Sequence, residues 1–315
     1  MQRYIIVRAG QSLIVLFIVS IVVFGLARMS GNPLHLLLPD DADAADVARM
    51  EERWGLDQPI HIQYYTFITK AVQGDFGDSL KFRHRDTMGL VLSRFPATLQ
   101  LAGLGLLIST IIAVPIGVLS AVKRDTFVDS NAKIFALLGQ SAPSFWVGII
   151  FMWIFAVQLG WLPTSGKGEM GWDRLEHLIL PALAIGWYQA AALMRLVRSS
   201  MLEALDSEYV KLARLKGLSE FKVVWKHTLR NAAIAPLTLF GLLMAQLVTG
   251  TVVIETVFSF PGVGMLAVDA IRSRDFPVMQ AIVVVFALIF LFINLLVDIV
   301  YAYVDPRIQY TSRTY

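Results

Sequence analysis

The residues that could carry enzyme chemistry are scattered along the 315-residue chain. The sequence lacks a GxxxxGK(S/T) loop for nucleotide phosphates, an HExxH pair for zinc and a GxSxG turn for a serine nucleophile. Gly166 and Lys167 are adjacent, but without the spacing of a phosphate loop. With five dispersed histidines and no cysteine, neither a metal cage nor a thiolate site is predicted. We therefore expect a protein that is not an enzyme and holds no cofactor of its own.

The composition predicts an integral membrane protein. Hydrophobic residues make up 56% of the chain and charged residues 16%, which is too apolar for an ordinary soluble protein. Several stretches exceed the roughly 18–20 apolar residues that cross a bilayer. The first of them is too long for the core of a signal peptide and has no convincing cleavage site, so it is predicted to be an uncleaved span. The predicted spans are 9–27, 98–122, 134–159, 177–198, 232–254 and 278–303.

The basic residues predict the orientation of these spans. Lys and Arg cluster near the N-terminus, around residues 123–133, throughout 195–230 and in the C-terminal tail, whereas the short outer loops carry few cations. The positive-inside rule then places both termini in the cytoplasm. Because the cations follow membrane sidedness, they give no support for nucleic-acid binding. The predicted division is 1–29 (N-terminus and first span), 30–97 (external helical region), 98–303 (five-helix core, including a cytoplasmic loop at 199–231) and 304–315 (cytoplasmic tail).

The external region contains two predicted helices. Asp43 can cap one that carries Val47, Met50 and Trp54, and Pro59 can open another that Gly74 closes.

The 199–231 loop is patterned as two helices around a glycine. A helical period places Leu202, Leu205, Tyr209, Leu212 and Lys216 on one face of a first helix. Gly217 is expected to end it in a left-handed conformation, and Ser219, followed by Glu220, to cap a second helix. That helix places Phe221, Val224, Trp225, Thr228 and Leu229 on one face. Such a pair either lies on lipid headgroups or docks in a groove of a partner.

A family resemblance favours docking. The segment EYVKLARLKGLSE and the following HTLRNA resemble the cytoplasmic signature loop of permeases of binding-protein-dependent ABC importers, in particular the dipeptide, oligopeptide and nickel branch. Ala213 and Gly217 match the general pattern, whereas Lys211 and Leu212 replace its Glu and first Ala. GNPL at Gly31, WGLDQPIHIQY, GDFGDS and ETVFSFPGVG resemble further motifs of the same branch, in the same order. Asn32 stands where this branch of the family usually has Asp.

The resemblance implies a type I ABC importer permease fold in the bacterial inner membrane, embedded in the lipid bilayer. It also implies a second homologous permease subunit, two ATPase subunits that bind the ATP, and an external substrate-binding protein. Peptides are the implied cargo, and nickel, oligosaccharide and glutathione-like solutes are alternatives. The resemblance does not decide whether the second permease is a different chain or a second copy. The residues implied to couple to the ATPase are Glu208, Tyr209, Ala213, Arg214, Lys216, Gly217, Leu218 and Ser219.

Three polar positions in or near the spans have more than one interpretation. Gln140–Ser144 either packs against other helices, the interpretation that we favour, or lines a solute path. Asp298 is expected to be a structural partner in the bundle and not a proton relay. As the one marginal intramembrane acid in a chain without internal repeats, it gives little support to a secondary transporter. The segment from Glu255 to Gly264 is compatible with a re-entrant or interfacial piece. No converging groups suggest a membrane enzyme.

Overall fold

The computed structural model describes residues 2–29, 55–82 and 85–304, with isolated positions between 43 and 52. Within these residues the chain is helical, and the β pairing is limited to an isolated antiparallel bridge between Asp78 and Asp86. Three predicted features lie outside the described residues: the Val47, Met50 and Trp54 positions of the helix after Asp43, the motif at Gly31, and the tail 305–315.

In chain order the helices are α1 (Gln2–Met29), α2 (Ile60–Val72), α3 (Thr87–Val122), α4 (Phe127–Ser141), α5 (Ser144–Gln158), α6 (Trp172–Leu205), α7 (Glu208–Leu215), α8 (Glu220–Ala232), α9 (Ile234–Gly250), α10 (Val252–Val257), α11 (Val263–Arg272) and α12 (Phe276–Val304). The second half of α5 (Met152–Gln158) and the middle of α8 (Val223–Thr228) are π-helical.

The described helices include four that are long and apolar enough to cross a membrane, namely α1, α3, α6 and α12. Two bent helix pairs are also long and apolar enough when each pair is taken together, α4 with α5 at 107° and α8 with α9 at 58°. Counting each bent pair as one span gives six spans, and the fifth has its apolar part in α9, after the 199–231 loop. The prediction of an all-helical membrane protein is therefore confirmed, and the predicted third span, 134–159, is divided between α4 and α5.

Proline chemistry explains the break in the third span. Pro143 has no backbone N–H, and its ring disfavours helical geometry at the residue before it. Ala142 accordingly has φ −92° and ψ 128°, an extended conformation. The chain leaves α4 there and re-enters a helix at Ser144 in a different direction.

Other helix bounds differ from the predicted ones for local reasons. The second span begins at Thr87, well before residue 98, because Asp86 accepts a capping hydrogen bond from the Gly89 N–H. The fourth span continues past Arg198 to Leu205. In the external region, α2 follows Pro59, as predicted, and Gly74 after its end has φ +79°.

The core is centred on α3 and α6, which share the most extensive packing in the described structure. Close approach of their backbones depends on small residues, as is common between membrane helices. A Cβ atom at Gly186 would lie 2.9 Å from the carbonyl oxygen of Gly105, so glycine is required at this crossing. Leu101, Leu180 and Leu193 fill the surrounding core.

The segment from Glu255 to Gly264 is a buried anchor. The Glu255 carboxylate is fully buried and accepts hydrogen bonds from the Thr98 hydroxyl at 2.8 Å and from the Met265 N–H at 2.9 Å. The Thr98 oxygen in turn accepts a bond from the Val263 N–H at 2.8 Å. These bonds fix the start of α11 against α3, and Phe260 beside them is fully buried. The segment is thus anchored in the protein core.

Two further polar contacts join distant parts of the chain. Asp275, just before α12, accepts hydrogen bonds from the Ser79 hydroxyl and from the Lys81 N–H, which ties the external region to the bundle. At the other end of α12, Asp298 forms an ion pair with Arg8 of α1 at 3.2 Å. The prediction that Asp298 has a structural partner is confirmed.

Candidate functional site

The 199–231 loop emerges from the end of α6 and is not one continuous helix before Gly217. The α6 helix ends at Leu205, and Ser207 is extended, with φ −72° and ψ 150°, before α7 begins at Glu208. The prediction that Leu202, Leu205 and Tyr209 share one helix is therefore wrong. Ser207 takes the N-cap position of α7, a position that short hydroxyl side chains favour because they compete with helical backbone bonds.

Gly217 forms the turn between α7 and α8. Its φ is +74°, and its N–H donates to the Arg214 carbonyl at 2.9 Å. The next N–H, of Leu218, donates to the Ala213 carbonyl at 3.4 Å. These two bonds define a Schellman motif, in which glycine is the preferred left-handed residue. The predicted helix end at Gly217 is confirmed.

A small apolar cluster holds α7 against α8. Val210 and Val223 are fully buried, Ala213 is nearly so, and Leu218 packs on all three. The contact of Leu218 with Ala213 is the apolar contact that accompanies a Schellman motif. The turn, the cluster and the two short helices therefore form one unit with a defined shape.

Four large apolar side chains of this unit are exposed. Tyr209, Leu212 and Leu215 are 41%, 52% and 84% exposed, and Phe221 on α8 is 73% exposed. The first three lie within an arc of about 120° on α7, at 100° per residue. We call these four side chains the apolar patch. Apolar side chains grouped outside the membrane spans are typical of a binding surface.

Charged residues surround the apolar patch. Arg214 donates to both carboxylate oxygens of Glu220, at 2.9 and 3.4 Å, and so links α7 to α8. Lys211 donates to Glu208 at 2.8 Å, and this hydrogen bond raises the pKa of the lysine. Exposed pairs of this kind contribute little to stability. Their role here is to hold long side chains beside the patch.

The structure brings together all of the residues predicted to couple to an ATPase, with different roles. Glu208, Tyr209, Lys216 and Ser219 are exposed, whereas Ala213 and Leu218 support the turn from inside. Ser219 is the N-cap residue of α8, as predicted, but its side chain makes no capping hydrogen bond. Leu212, Leu215 and Phe221 were not predicted as part of the site, although the sequence pattern placed Leu212 and Phe221 on helical faces of the loop.

A buried ionic cluster fixes the membrane end of the loop. On α6, Arg198 donates to both oxygens of Asp129 on α4, at 2.7 and 2.9 Å. Asp129 is fully buried, and it also accepts from Ser120 of α3 at 2.6 Å and pairs with Lys133 at 2.8 Å. Bidentate Arg–carboxylate pairs are strong and geometrically specific. Three helices are thereby locked together immediately before the 199–231 loop begins.

The break between α4 and α5 borders a pocket of about 480 Å³ in the helix bundle. None of the residues that line this pocket carries a charge. Its polar lining residues are Gln140, Ser141, Ser144, Tyr188, Gln189 and Gln246. The position of Gln140–Ser144 in the wall of this pocket is compatible with the alternative interpretation, in which this segment lines a solute path. Among the described residues, no group of acidic, histidine or cysteine side chains could hold a metal ion.

Comparison with protein families places two models on the chain. Residues 1–102 match the N-terminal part of a binding-protein-dependent transport system membrane component, and residues 113–310 match the "binding-protein-dependent transport system inner membrane component". Together these matches cover most of the sequence.

Relatives align over nearly the full length. The oligopeptide transport system permease protein AppB of Bacillus subtilis is 37% identical, over 98% of this chain and 100% of its own length. The glutathione transport system permease protein GsiC of Escherichia coli K12 is 40% identical over the same shares.

Solved structures resemble the fold at lower identity. An inward-facing structure of the MetNI methionine ABC transporter superposes with a TM-score of 0.57 at 18% identity, covering 69% of this chain and 97% of its own. An amino acid ABC transporter does so with a TM-score of 0.54 at 14% identity, covering 68% and 94%. At these identities the similarity shows a shared fold.

Proposed function

Because this chain belongs to the family of binding-protein-dependent transport system inner membrane components, we propose that it is the permease subunit of an ATP-driven importer of small peptides. One observation carries the coupling part of the proposal: α7 and α8 form a rigid unit outside the spans that exposes an apolar patch. An ATP-driven chain without a phosphate loop must obtain its energy from another subunit.

The apolar patch is the surface on which an ATPase subunit docks. The coupling residues are Glu208, Tyr209, Ala213, Arg214, Lys216, Gly217, Leu218 and Ser219. An amphipathic helix laid into a groove of a partner is a common docking mode, and the patch on α7 has the required spacing. ATP binding changes the permease only if the docked ATPase interacts differently with its inward-facing and outward-facing states. The rigid loop and the Asp129–Arg198 pair give a continuous connection from the patch to three spans.

The cargo is a short peptide. The relatives named above transport oligopeptides and glutathione, which are both chains of amino acids joined by amides. Nickel is a poorer candidate, because the pocket in the bundle offers neither carboxylate nor imidazole ligands. The external binding protein would select among peptides before they reach the membrane.

The complete transporter contains a second homologous permease subunit, two ATPase subunits and an external binding protein. Residues 30–97 face outward and receive the binding protein, whereas both termini and the 199–231 loop are cytoplasmic. The positive-inside distribution of Lys and Arg supports this orientation. The chain holds no cofactor, and ATP binds to the partner subunits.

Purification of the chain from its native membrane in mild detergent tests the proposal. We expect a phosphate-loop ATPase and a second six-span chain to co-purify, and peptide uptake by the reconstituted complex to require ATP. A chain that purifies alone and moves solute down an ion gradient without ATP would instead be a secondary transporter. The apolar patch would then lie on lipid headgroups.

A further inference from the structure

We propose that the pocket between α4, α5, α6 and α9 binds the main chain of the peptide in transit, with Gln140 and Gln189 as hydrogen-bond partners of its amides. This inference rests on the proposed function and adds to it a binding site within the spans. It also names the part of the cargo that the permease recognises.

The first argument is that two amide groups in the pocket wall lack partners. The Gln189 side-chain oxygen and the Gln140 side-chain nitrogen are buried and make no hydrogen bond within the described residues. Gln189 as a whole is only 6% exposed. Buried polar groups are normally paired, so unpaired ones at a pocket indicate a missing partner. One of the two is an acceptor and the other a donor, as a peptide bond requires.

The second argument comes from the backbone. At Ala142 and Pro143 the chain is not helical, and both residues line the pocket. Non-helical backbone at membrane depth is tolerated where it is buried or lines a polar cavity, and broken helices often surround the substrate sites of transporters. The break lies between α4 and α5, which are together long and apolar enough to form one bent span.

The third argument is the depth of the pocket. Gln189 lies near the middle of α6, about 25 Å from either end at 1.5 Å per residue. A solute that crosses the bundle must pass this level. Because the lining carries no charge, it would not favour acidic over basic side chains of the cargo. A neutral amide lining instead suits the part that all peptides share.

Cysteine protection provides a direct test, because the chain contains no cysteine of its own. Ser144→Cys places a thiol in the pocket wall, and Ser130→Cys places one on the exposed face of α4 as a control. Both variants are assembled with the ATPase subunits and the binding protein in liposomes. We expect tri-alanine or S-methylglutathione to slow alkylation at position 144 at least threefold, and to leave position 130 unchanged. Equal alkylation rates with and without peptide at position 144 would overturn the inference.

A second test uses uptake by the same complex and needs no cysteine. Gln189→Met removes the amide at nearly constant length, and Gln100→Met is the control on the exposed side of α3. We expect Gln189→Met to lower peptide uptake about fivefold, the loss of one neutral hydrogen bond. Replacing the first of the two amides of tri-alanine by an ester should lower wild-type uptake similarly but have little further effect on Gln189→Met.

The outcomes separate the two proposals. If the wild-type complex takes up neither peptide, the proposed function fails, and this inference fails with it. If the wild type takes up peptide but position 144 is unprotected and Gln189→Met behaves like Gln100→Met, only the pocket assignment is overturned. If Ser144→Cys fails to assemble, uptake of the ester analogue by the wild type and by Gln189→Met decides. If the ester and the substitution lower uptake additively, the pocket assignment is overturned.

Discussion

Replacing Gly217 by valine tests whether the turn between α7 and α8 needs its left-handed conformation. A Cβ atom built at Gly217 meets no other atom within 4 Å, so the added carbon itself causes no collision. The cost is then that of the backbone alone, since φ is +74°. For an L-residue this strain is about 1–2 kcal/mol, and β-branched residues are among the least tolerant.

This strain predicts a measurable loss of coupling. A cost of about 1–2 kcal/mol lowers the population of the native turn relative to unfolded alternatives by roughly 5- to 30-fold. If docking needs the native turn, the affinity for the ATPase subunit falls by as much as the competent fraction does. We expect Gly217→Val to insert normally in the membrane but to lose most of its peptide-stimulated ATP hydrolysis.

Gly217→Asn is the matched control, because asparagine adopts the left-handed conformation at much lower cost. We expect the peptide-stimulated ATP hydrolysis of this variant to stay within about threefold of the wild-type rate. Both variants are assayed in the complete reconstituted complex, with the amount of assembled chain measured by gel filtration. The reasoning is refuted if valine is harmless, or if asparagine is as damaging as valine, since side-chain bulk at the docking surface would then be responsible.

Two further variants test the buried polar contacts. Asp129→Ala leaves Arg198 without its carboxylate partner and should destabilise the protein by about 3 kcal/mol. Asp125→Asn, at a neighbouring exposed pair, should cost only a small part of that stability. Equal unfolding midpoints of the two variants in detergent would contradict this. Thr98→Val removes two buried hydrogen bonds and should lower the stability by about 2–3 kcal/mol. Thr110→Val loses only one hydrogen bond, within its own helix, and should cost less than half as much. A larger loss of stability in Thr110→Val than in Thr98→Val would show that the anchor around position 98 is dispensable.

The features that could be predicted from the sequence depend on local or one-dimensional signals. Apolar length indicated the spans, because about 20 apolar residues are needed whatever the tertiary packing. The end of α7 at Gly217 was predictable because a Schellman motif involves only neighbouring residues. The family motifs identified the loop, but they did not indicate which of its side chains face outward.

Other features depend on contacts or backbone geometry that the pattern does not encode. In an α-helix, residues five apart point about 140° away from each other, yet Val223 and Thr228 are both fully buried, because this part of α8 is π-helical. The helical pattern therefore misplaced Phe221. The pair of Asp129 and Arg198 joins residues that are 69 positions apart. Such a pairing follows from how α4 and α6 pack, which no spacing in the sequence reveals.

The apolar patch also bears on the life of the protein before assembly. If the loop is cytoplasmic and docks an ATPase subunit, as proposed, newly made chains display Tyr209, Leu212, Leu215 and Phe221 to the cytoplasm until that subunit covers them. By mass action, a partner present at a hundred times its dissociation constant adds about 2.7 kcal/mol to the stability of the form that it binds. Unassembled copies lack this protection and invite proteolysis or self-association. The cellular level of this subunit should therefore follow that of its ATPase, even when its own synthesis is constant.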